Sequence, residues 1–212
     1  MTRTHTAPRT TFRHGDLRRA LLDAGIALAR AGGPDAVVLR EATRRAGVVP
    51  NAAYRHFKSH DALLQAVRAA ALASVAAAME AELAMLRRSR YPAHFARASV
   101  RAVGTAYLRF AQAEPGLFRT AFFGPDLALD DPDPAKAGPS GMNPFQLLGL
   151  ALNRLVDAGV MTRARRPGAE FLAWSAVHGL ALLIIDGPLR RVTRAQAAAL
   201  GQRVLDMVEK GL

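Results

Sequence analysis

Apolar residues recur along this chain at the three- and four-residue intervals that are typical of amphipathic helices. A clear stripe near the N-terminus consists of Leu17, Leu21, Ala24 and Leu28. It ends where two glycines and Pro34 follow, a combination that stops helices. Runs of β-branched residues with the two-residue alternation of a strand are scarce. The pattern therefore predicts an all-α chain.

Prolines and glycines divide the rest of the chain into further segments with helical spacing, which makes about nine helices in total. After the helix that stops at Gly32, the predicted helices cover 39–46, 50–57, 60–88, 92–113, 117–123, 143–158, 168–186 and 193–210. Between them, residues 124–141 contain four prolines and four aspartates, which predict a mobile acidic loop.

The composition limits the class of protein. Hydrophobic residues make up 50% of the chain, which is enough for a packed core and excludes wholesale disorder. The chain has no cysteine, which excludes disulfides, thiolate zinc sites and iron–sulfur clusters. The most apolar run, 171–185, is shorter than the roughly twenty residues of a membrane span, and the N-terminus lacks a secretory signal. We therefore expect a soluble, cytoplasmic protein with no membrane partner.

The net charge of +12 suggests a polyanionic partner, with solubility alone as the plainer explanation. The charge is uneven, because residues 1–68 hold 12 Lys and Arg against 5 Asp and Glu. More than half of the excess thus lies in the first third of the chain.

The basic third contains two short predicted helices, 39–46 and 50–57, joined by a tight turn at Gly47. Small residues at Ala42 and Ala46 permit close helix packing, and Val48 follows the turn as a core position. The second helix has small and hydrogen-bonding residues near its start, which lets its backbone approach base edges in the major groove. This arrangement matches a helix-turn-helix and predicts a DNA-binding domain.

The same stretch resembles the tetracycline-repressor (TetR) family of transcriptional regulators. The matching residues are Arg13-His14-Gly15-Asp16-Leu17-Arg18, then Ala46-Gly47-Val48, then Ala53-Tyr54-Arg55-His56-Phe57, and finally Leu63-Leu64. The match covers roughly 12–67 without a gap. The resemblance implies a flexible basic arm over 1–12, a three-helix DNA-binding domain over 13–60, and a helical ligand-binding and dimerisation domain over 61–212.

The resemblance also implies which side chains meet double-stranded DNA. The expected contacts are Arg40, Thr43, Arg44, Pro50, Asn51, Ala52, Tyr54, Arg55, His56 and His60. Of these, the residues at 50–52 would face base edges, and Tyr54 and His56 would meet phosphates. The alternative for Tyr54 is a partly buried core ring, and for Arg44 and Arg45 it is a solvated helix face. The N-terminal arm, with its arginines at positions 3, 9 and 13, either enters the minor groove or is a solvated tail.

Three positions depart from the family pattern. Val38 and Val49 stand where the family usually has a Ser or Thr that caps the helix, and a missing cap costs about 1 kcal/mol. His60 stands where the family has a phosphate-binding lysine, so only its protonated form would restore the positive charge. A metal site formed by His56 and His60 is disfavoured, because they straddle a helix break and no carboxylate ligands accompany them.

Two C-terminal segments resemble a TetR subgroup with a Trp…His-Gly signature. They are the aromatic stretch 114–125 and the stretch from Trp174 to Leu180, which includes His178-Gly179. The resemblance implies a small-molecule cavity and a homodimer interface on the last two long helices, 168–186 and 193–210. The all-apolar run 180–185 independently requires cover on more than one face.

Aromatic, Met and Leu side chains of the C-terminal half are candidates for lining the cavity, and ordinary core packing is the alternative for each of them. The candidates are Tyr107, Phe110, Phe118, Phe122, Met142, Phe145, Leu148, Trp174 and His178. A lone histidine in an apolar helix needs either a ligand or a core partner. The lack of charge on these faces favours an apolar or weakly polar ligand.

Together these features favour a dimeric repressor that a small, mainly apolar ligand releases from a palindromic operator. A DNA-binding or architectural regulator that needs no ligand is the alternative. No Ser-His-Asp set, paired carboxylates, glycine-rich phosphate loop or metal-ligand cluster is evident, so we expect neither an enzyme nor a cofactor.

Overall fold

The computed structural model describes residues 14–87, 89–122, 124 and 131–212, and for residues 14–16 and 50 it describes the backbone only. Within these ranges the chain forms nine α-helices and no strand, as predicted. The helices are α1 His14–Gly32, α2 Leu39–Arg45, α3 Pro50–Ala53, α4 His60–Ala84, α5 Pro92–Ala113, α6 Pro115–Ala121, α7 Pro144–Asp157, α8 Ala169–Ile185 and α9 Arg194–Gly211. The predicted arm 1–12 and Arg13 lie outside the described residues, as does most of the first part of the predicted acidic loop.

Two predicted helices end earlier than expected. The predicted helix 50–57 is regular only to Ala53, because the N–H groups of His56 and Phe57 both donate to the Ala53 carbonyl and tighten the chain into a turn. Phe57 is buried there and anchors the turn in the core. The predicted helix 60–88 ends at Ala84, with Met85 as its C-cap. The next helix starts at Pro92, and Tyr91 before it is extended, as a proline favours for the residue that precedes it.

The aromatic helix begins and ends earlier than predicted, at Pro115–Ala121 instead of 117–123. Proline suits the first turn of a helix because its missing N–H would have no intrahelical partner there. The Glu114-Pro115 pair, which the sequence suggested as a break, therefore serves as the start of α6.

The first four helices pack around one apolar core. Leu21 and Leu28 of α1 lie with Phe57, and with Leu63 and Val67 at the start of α4. We call α1, α2, α3 and the first two turns of α4 the N-terminal bundle. A buried Leu or Phe side chain contributes roughly 1.5–3 kcal/mol relative to exposure, so these few residues are sufficient to order the short helices α2 and α3.

The helix α4 continues from the N-terminal bundle into the C-terminal half. By length and apolar composition it could span a membrane, whereas the sequence prediction considered only the shorter run 171–185. Half of that apolar stretch is buried inside the protein, and residues such as Val75 and Ala76 are inaccessible. It is the core helix that joins the two halves of the fold.

The helix α5 lies at the centre of the C-terminal half and packs against α4, α7, α8 and α9. It approaches α9 closely at Gly104, where an added Cβ would lie 2.3 Å from a methyl carbon of Leu205. Ion pairs from Arg97 and Arg101 to Glu209 and Asp206 fix the two helices in antiparallel register. This packing leaves a space between α4, α5, α7 and α8 that is described below.

Candidate nucleic-acid interface and C-terminal cavity

The surface formed by α2 and α3 exposes most of the side chains that the sequence singled out for DNA. Arg40 and Arg44 are exposed on α2, Asn51 is exposed on α3, and Arg55 is exposed in the turn that follows. Tyr54 is 54% exposed, which excludes the alternative of a core ring. Ala52 and His56 are half-buried and His60 is exposed, while the side chain of Pro50 lies outside what is described.

Thr43, another expected DNA contact, is nearly buried. Its side chain is only 2% exposed, because α2 turns this face towards the N-terminal bundle. Its hydroxyl donates to the carbonyl oxygen of Arg40 at 2.6 Å, so the one donor of the hydroxyl is used within α2. Thr43 thus supports the position of α2, and a DNA contact from its nearly buried side chain stays a prediction.

A carboxylate lies among the exposed arginines of α2. Glu41 accepts hydrogen bonds from Arg44 at 2.6 and 2.8 Å and from Arg45 at 3.1 Å. These hydrogen bonds lower the pKa of Glu41 from its usual value to about 2. Arg44 and Arg45 are therefore not simply solvated, as the alternative for these positions supposed, but form an ordered ion-pair cluster.

The two valine departures are visible in the structure. Val38 precedes α2 and supplies no side-chain cap, and Val49, which precedes α3, is 67% exposed. Ser59 caps α4 instead, since its hydroxyl accepts a hydrogen bond from the Ala62 N–H at 3.1 Å. Beside it, a ring nitrogen of His60 lies 3.2 Å from a carboxylate oxygen of Asp61. Among the described residues, no three or more His, Asp or Glu side chains come together as a metal site would require.

A cavity lies in the C-terminal half between α4, α5, α7, α8 and α9. Its volume is about 60 Å³. The cavity is therefore narrow. Its lining is almost entirely apolar and includes Leu72 and Met79 of α4, Val100 and Val103 of α5, and Val177 of α8.

Five of the nine cavity candidates from the sequence line this space. They are Tyr107, Phe122, Phe145, Leu148 and Trp174. The other four, Phe110, Phe118, Met142 and His178, lie outside its lining. Phe118 is fully buried, and its ring packs on those of Tyr107 and His178 as ordinary core.

His178 has found a core partner, one of the two possibilities that the sequence left open. Its Nδ1 lies 2.7 Å from the hydroxyl of Tyr107, and the same hydroxyl receives the indole N–H of Trp174 at 2.9 Å. The hydroxyl oxygen accepts from Trp174 and keeps a proton that it can donate to Nδ1 of His178 when the imidazole proton is on Nε2. Burial lowers the pKa of His178 and raises that of Tyr107, so both are neutral near pH 7.

The cavity also has one charged residue in its lining, which the sequence prediction of uncharged inner faces missed. Lys136 lies in a 3₁₀ turn, Pro134–Lys136, at the edge of the cavity, and its ammonium group pairs with Asp131 at 2.5 Å. The neighbouring segment is fastened to α4, because Glu80 accepts hydrogen bonds from the backbone and hydroxyl of Ser140. We call residues 131–143 the cavity edge segment. Residues 131–141, which are described and belong to the predicted mobile loop, are thus held by hydrogen bonds.

The short helix α6 contacts both halves of the protein. On one side Gly116 lies against the end of α1, where an added Cβ would be 2.3 Å from the Ala29 carbonyl oxygen, and Glu114 pairs with Arg30 at 2.8 Å. On the other side Arg119 makes a bidentate pair with Asp186 at the end of α8. Directly after α6, Phe122 lines the cavity. The cavity wall and the N-terminal bundle are therefore in contact through one helix.

Comparisons with known proteins agree with this architecture. The sequence model described as "Bacterial regulatory proteins, tetR family" matches residues 21–67, and the one described as "Tetracyclin repressor-like, C-terminal domain" matches residues 100–208. No curated protein sequence matches the chain significantly.

Several solved structures share the fold over nearly the whole chain. A protein of unknown function from Rhodococcus sp. RHA1 is 25% identical, with a TM-score of 0.74 over 96% of this chain and 99% of that one. The transcriptional regulator FadR from Bacillus subtilis, solved in complex with stearoyl-CoA, is 12% identical, with a TM-score of 0.63 over 92% and 98% of the chains. The regulator PfmR from Thermus thermophilus is 20% identical, with a TM-score of 0.57 over 91% and 98%.

The two sequence models carry more weight than these distant structures, because the C-terminal one alone spans more than half of the chain and the N-terminal one covers the helix-turn-helix. This chain belongs to the TetR family of transcriptional regulators.

Proposed function

We propose that this protein is a cytoplasmic homodimeric repressor that a small, mainly apolar ligand releases from a palindromic operator. TetR-family proteins are DNA-binding transcriptional regulators and are often ligand-responsive repressors, so the proposal concerns dimerisation, repression and release in this chain. The observation that carries it is the contact of α6 with both the cavity wall and the N-terminal bundle. Such a contact gives a ligand a physical route to the DNA-binding surface.

The DNA-binding part of the proposal assigns the exposed face of α2 and α3 to the major groove. Arg40 and Arg44 are exposed cations on α2, and Asn51 is an exposed amide at the start of α3. Tyr54 and Arg55 are exposed in the turn that follows and suit phosphate contacts. We also propose that the DNA-binding domain ends at residue 60, where α4 begins. The helix α4 then connects this domain to the ligand-binding half.

The dimer part of the proposal is supported by an apolar face on the last two helices. On α8 the side chains of Phe171, Leu172, Leu182 and Leu183 are exposed, and on α9 that of Met207 is exposed. Exposed apolar groups that line up on one helix face usually mark a protein–protein interface. Two copies joined there would present two N-terminal bundles to two half-sites of a palindrome.

The dimer is tested by Leu172→Glu, with Met85→Glu as a matched control. Both side chains are strongly exposed, but Met85 follows the end of α4 and lies outside α8 and α9. Analytical ultracentrifugation of the wild type should give a dimer that Leu172→Glu converts to monomer and Met85→Glu leaves intact. A wild-type monomer, or a Leu172→Glu dimer of unchanged stability, would refute this interface.

The release part of the proposal rests on differential binding. A ligand that widens the narrow cavity displaces Phe122, and with it α6 and the end of α1 against which α6 packs. It can weaken DNA binding only by as much as it prefers the displaced arrangement, typically 1–3 kcal/mol or roughly 5- to 150-fold. FadR, a fold neighbour, was solved in complex with stearoyl-CoA, an amphipathic molecule in which only the acyl chain is apolar.

The decisive experiment is a titration of the protein with DNA from the region upstream of its own gene, with and without apolar compounds found by a thermal-shift screen. The affinity should fall steeply with salt, with a log–log slope of roughly −0.9 per phosphate neutralised. Hits should weaken DNA binding of the wild type but not of Ala173→Leu, because Ala173 is buried in the cavity lining. The control is Ala81→Leu, an exposed position of α4.

Two other outcomes have clear meanings. Specific DNA binding that no compound weakens would favour the alternative, a regulator that needs no ligand. The small volume of the cavity supports that alternative. DNA binding that is insensitive to salt would contradict the assignment of the basic α2–α3 face to phosphates.

A further inference from the structure

The polar groups in the cavity lining differ in whether they are available to a ligand. The hydroxyl of Tyr107 and the indole N–H of Trp174 are bonded to each other, and the hydroxyl also meets His178. Asn143 caps α7, since its side-chain oxygen accepts from the Gln146 N–H at 2.9 Å. These groups are committed to holding the protein together.

Lys136 is the exception, because its partner is an exchangeable side chain. Its ammonium group pairs with a carboxylate oxygen of Asp131, whose side chain is itself 35% exposed to solvent. The lysine side chain is only 19% exposed. A partly buried ammonium group is stabilised by an anionic partner, and that partner need not belong to the protein.

The position of Lys136 is fixed independently of that ion pair. The cavity edge segment is anchored to α4 by Glu80 through Ser140, and to α7 by Asn143, whose side-chain amide donates to the Asp131 carbonyl. The ammonium group would therefore remain at the edge of the cavity if Asp131 turned into solvent. The other oxygen of Asp131 accepts from the Asp133 N–H, so the carboxylate has a backbone donor besides Lys136.

We propose that the cavity binds a slender apolar molecule carrying one carboxylate, and that this carboxylate takes the place of Asp131 on Lys136. This inference rests on the proposed ligand-responsive function and narrows its ligand to an amphipathic acid. The apolar part would lie along the walls formed by Val100, Val103 and Val177. A neutral ligand of the same shape would leave the Lys136–Asp131 pair in place and gain nothing from it.

The shape of the cavity favours a chain over a fused ring system. Its volume is only about 60 Å³, so a ligand must fit between closely spaced walls. Met79 and Leu148 line it, and the unbranched methionine side chain in particular can rotate to widen a cleft.

Binding is measured with decanoate, and with 1-decanol and methyl decanoate as neutral molecules of the same chain, all below their aggregation limits. The readout is the fluorescence of Trp174, the single tryptophan of the chain, which lines the cavity. Decanoate should bind at least tenfold more tightly than either neutral molecule, because only the carboxylate can form a charge-assisted hydrogen bond with Lys136.

Three substitutions test where the carboxylate binds. Lys136→Met should weaken decanoate at least tenfold and leave 1-decanol unchanged, whereas Lys136→Arg should keep the preference for the acid. Asp131→Asn should tighten decanoate severalfold, because it removes the competing carboxylate. The matched control is Lys210→Met, which removes an exposed lysine of α9 and should change neither ligand.

A second readout does not depend on tryptophan. The chain has only three lysines, at positions 58, 136 and 210, so ¹³C-methylation of the amines gives a small set of NMR signals that substitution assigns. Decanoate should shift the signal of Lys136 alone, and 1-decanol should leave it in place. Circular dichroism of each variant checks that it is folded.

Three results would overturn the inference. Equal binding of decanoate and 1-decanol would refute Lys136 as the binding site of the carboxylate, and so would unchanged decanoate binding by Lys136→Met. Neither result would contradict the proposed ligand-responsive function. Absence of any fluorescence change with all three molecules would also refute the inference. The DNA titration with screened compounds then decides separately whether the proposed function also fails.

Discussion

Replacing Gly116 by alanine is expected to force α6 away from the end of α1. The new Cβ would lie 2.3 Å from the Ala29 carbonyl oxygen and 2.5 Å from the Arg30 carbonyl oxygen. Carbon–oxygen contacts of this kind are normally about 3.3 Å or longer, so a displacement of about 1 Å is required. Both obstructing atoms belong to the backbone, and no side chain can rotate to make room.

The expected cost follows from that overlap. Forced overpacking of a core costs about 1–3 kcal/mol, and the rigid backbone places this site near the upper end. The better helix propensity of alanine returns up to about 1 kcal/mol. A net loss of about 2 kcal/mol lowers the Tm of a chain of this size by about 4–8 °C.

Thermal unfolding followed by circular dichroism measures this change, with Gly211→Ala as the control. Gly211 lies at the end of α9 with open space around its Cα, so the same chemical change there should leave the Tm equal or slightly raised. If Gly116→Ala proved as stable as Gly211→Ala, the tight α1–α6 contact, and the coupling route built on it, would be wrong.

Three further predictions concern the DNA-binding face and the buried histidine. Glu41→Gln releases the two arginines that it now binds, so the log–log salt slope of DNA binding should steepen by roughly 0.9–1.8. Val49→Ser supplies the missing cap before α3 and a hydroxyl for phosphate, and should tighten DNA binding about fivefold. Because burial lowers the pKa of His178, the unfolded chain takes up this proton at a higher pH than the native one. Stability measured by denaturant titration should therefore fall as the pH decreases from about 6.5 through the native pKa.

Each of these has a matched comparison. Asp35→Asn makes the same change in net charge at an exposed site between α1 and α2, and an equal steepening there would mean that Glu41 acts only through net charge. Unchanged or weaker binding by Val49→Ser would show that the valine is not a missing cap. His178→Gln should abolish the loss of stability between pH 6.5 and the native pKa; persistence of that loss would place its origin elsewhere.

The helices were largely predictable because their ends are encoded locally. Pro92 begins α5, Asn143 caps α7 and Thr193 caps α9, and each falls within a residue or two of the predicted start. The end of α3 was not predictable in this way, because it depends on Phe57 being drawn into a core that α1 and α4 complete.

The site residues divide along the same line. Exposure of Tyr54 and Arg55 follows from the motif, whereas burial of Thr43 depends on how α2 rotates against α1. The position of Lys136 at the cavity was not predictable, because nothing near it in sequence shows that its segment folds back onto α4. That placement is made by Glu80 and Ser140, which are sixty positions apart.

The hydrogen-bonded set of Tyr107, Trp174 and His178 has a consequence for how this cavity can change over evolutionary time. Loss of Tyr107 takes this partner from both the indole N–H of Trp174 and Nδ1 of His178, at a cost of about 1–3 kcal/mol for each buried group that stays unpaired. A change that begins at Tyr107 therefore passes through a weakened intermediate, and viable changes should alter two or three members of the set together. New ligand preferences can arise with far less obstruction at Val177 or Phe145, which line the same space without polar partners.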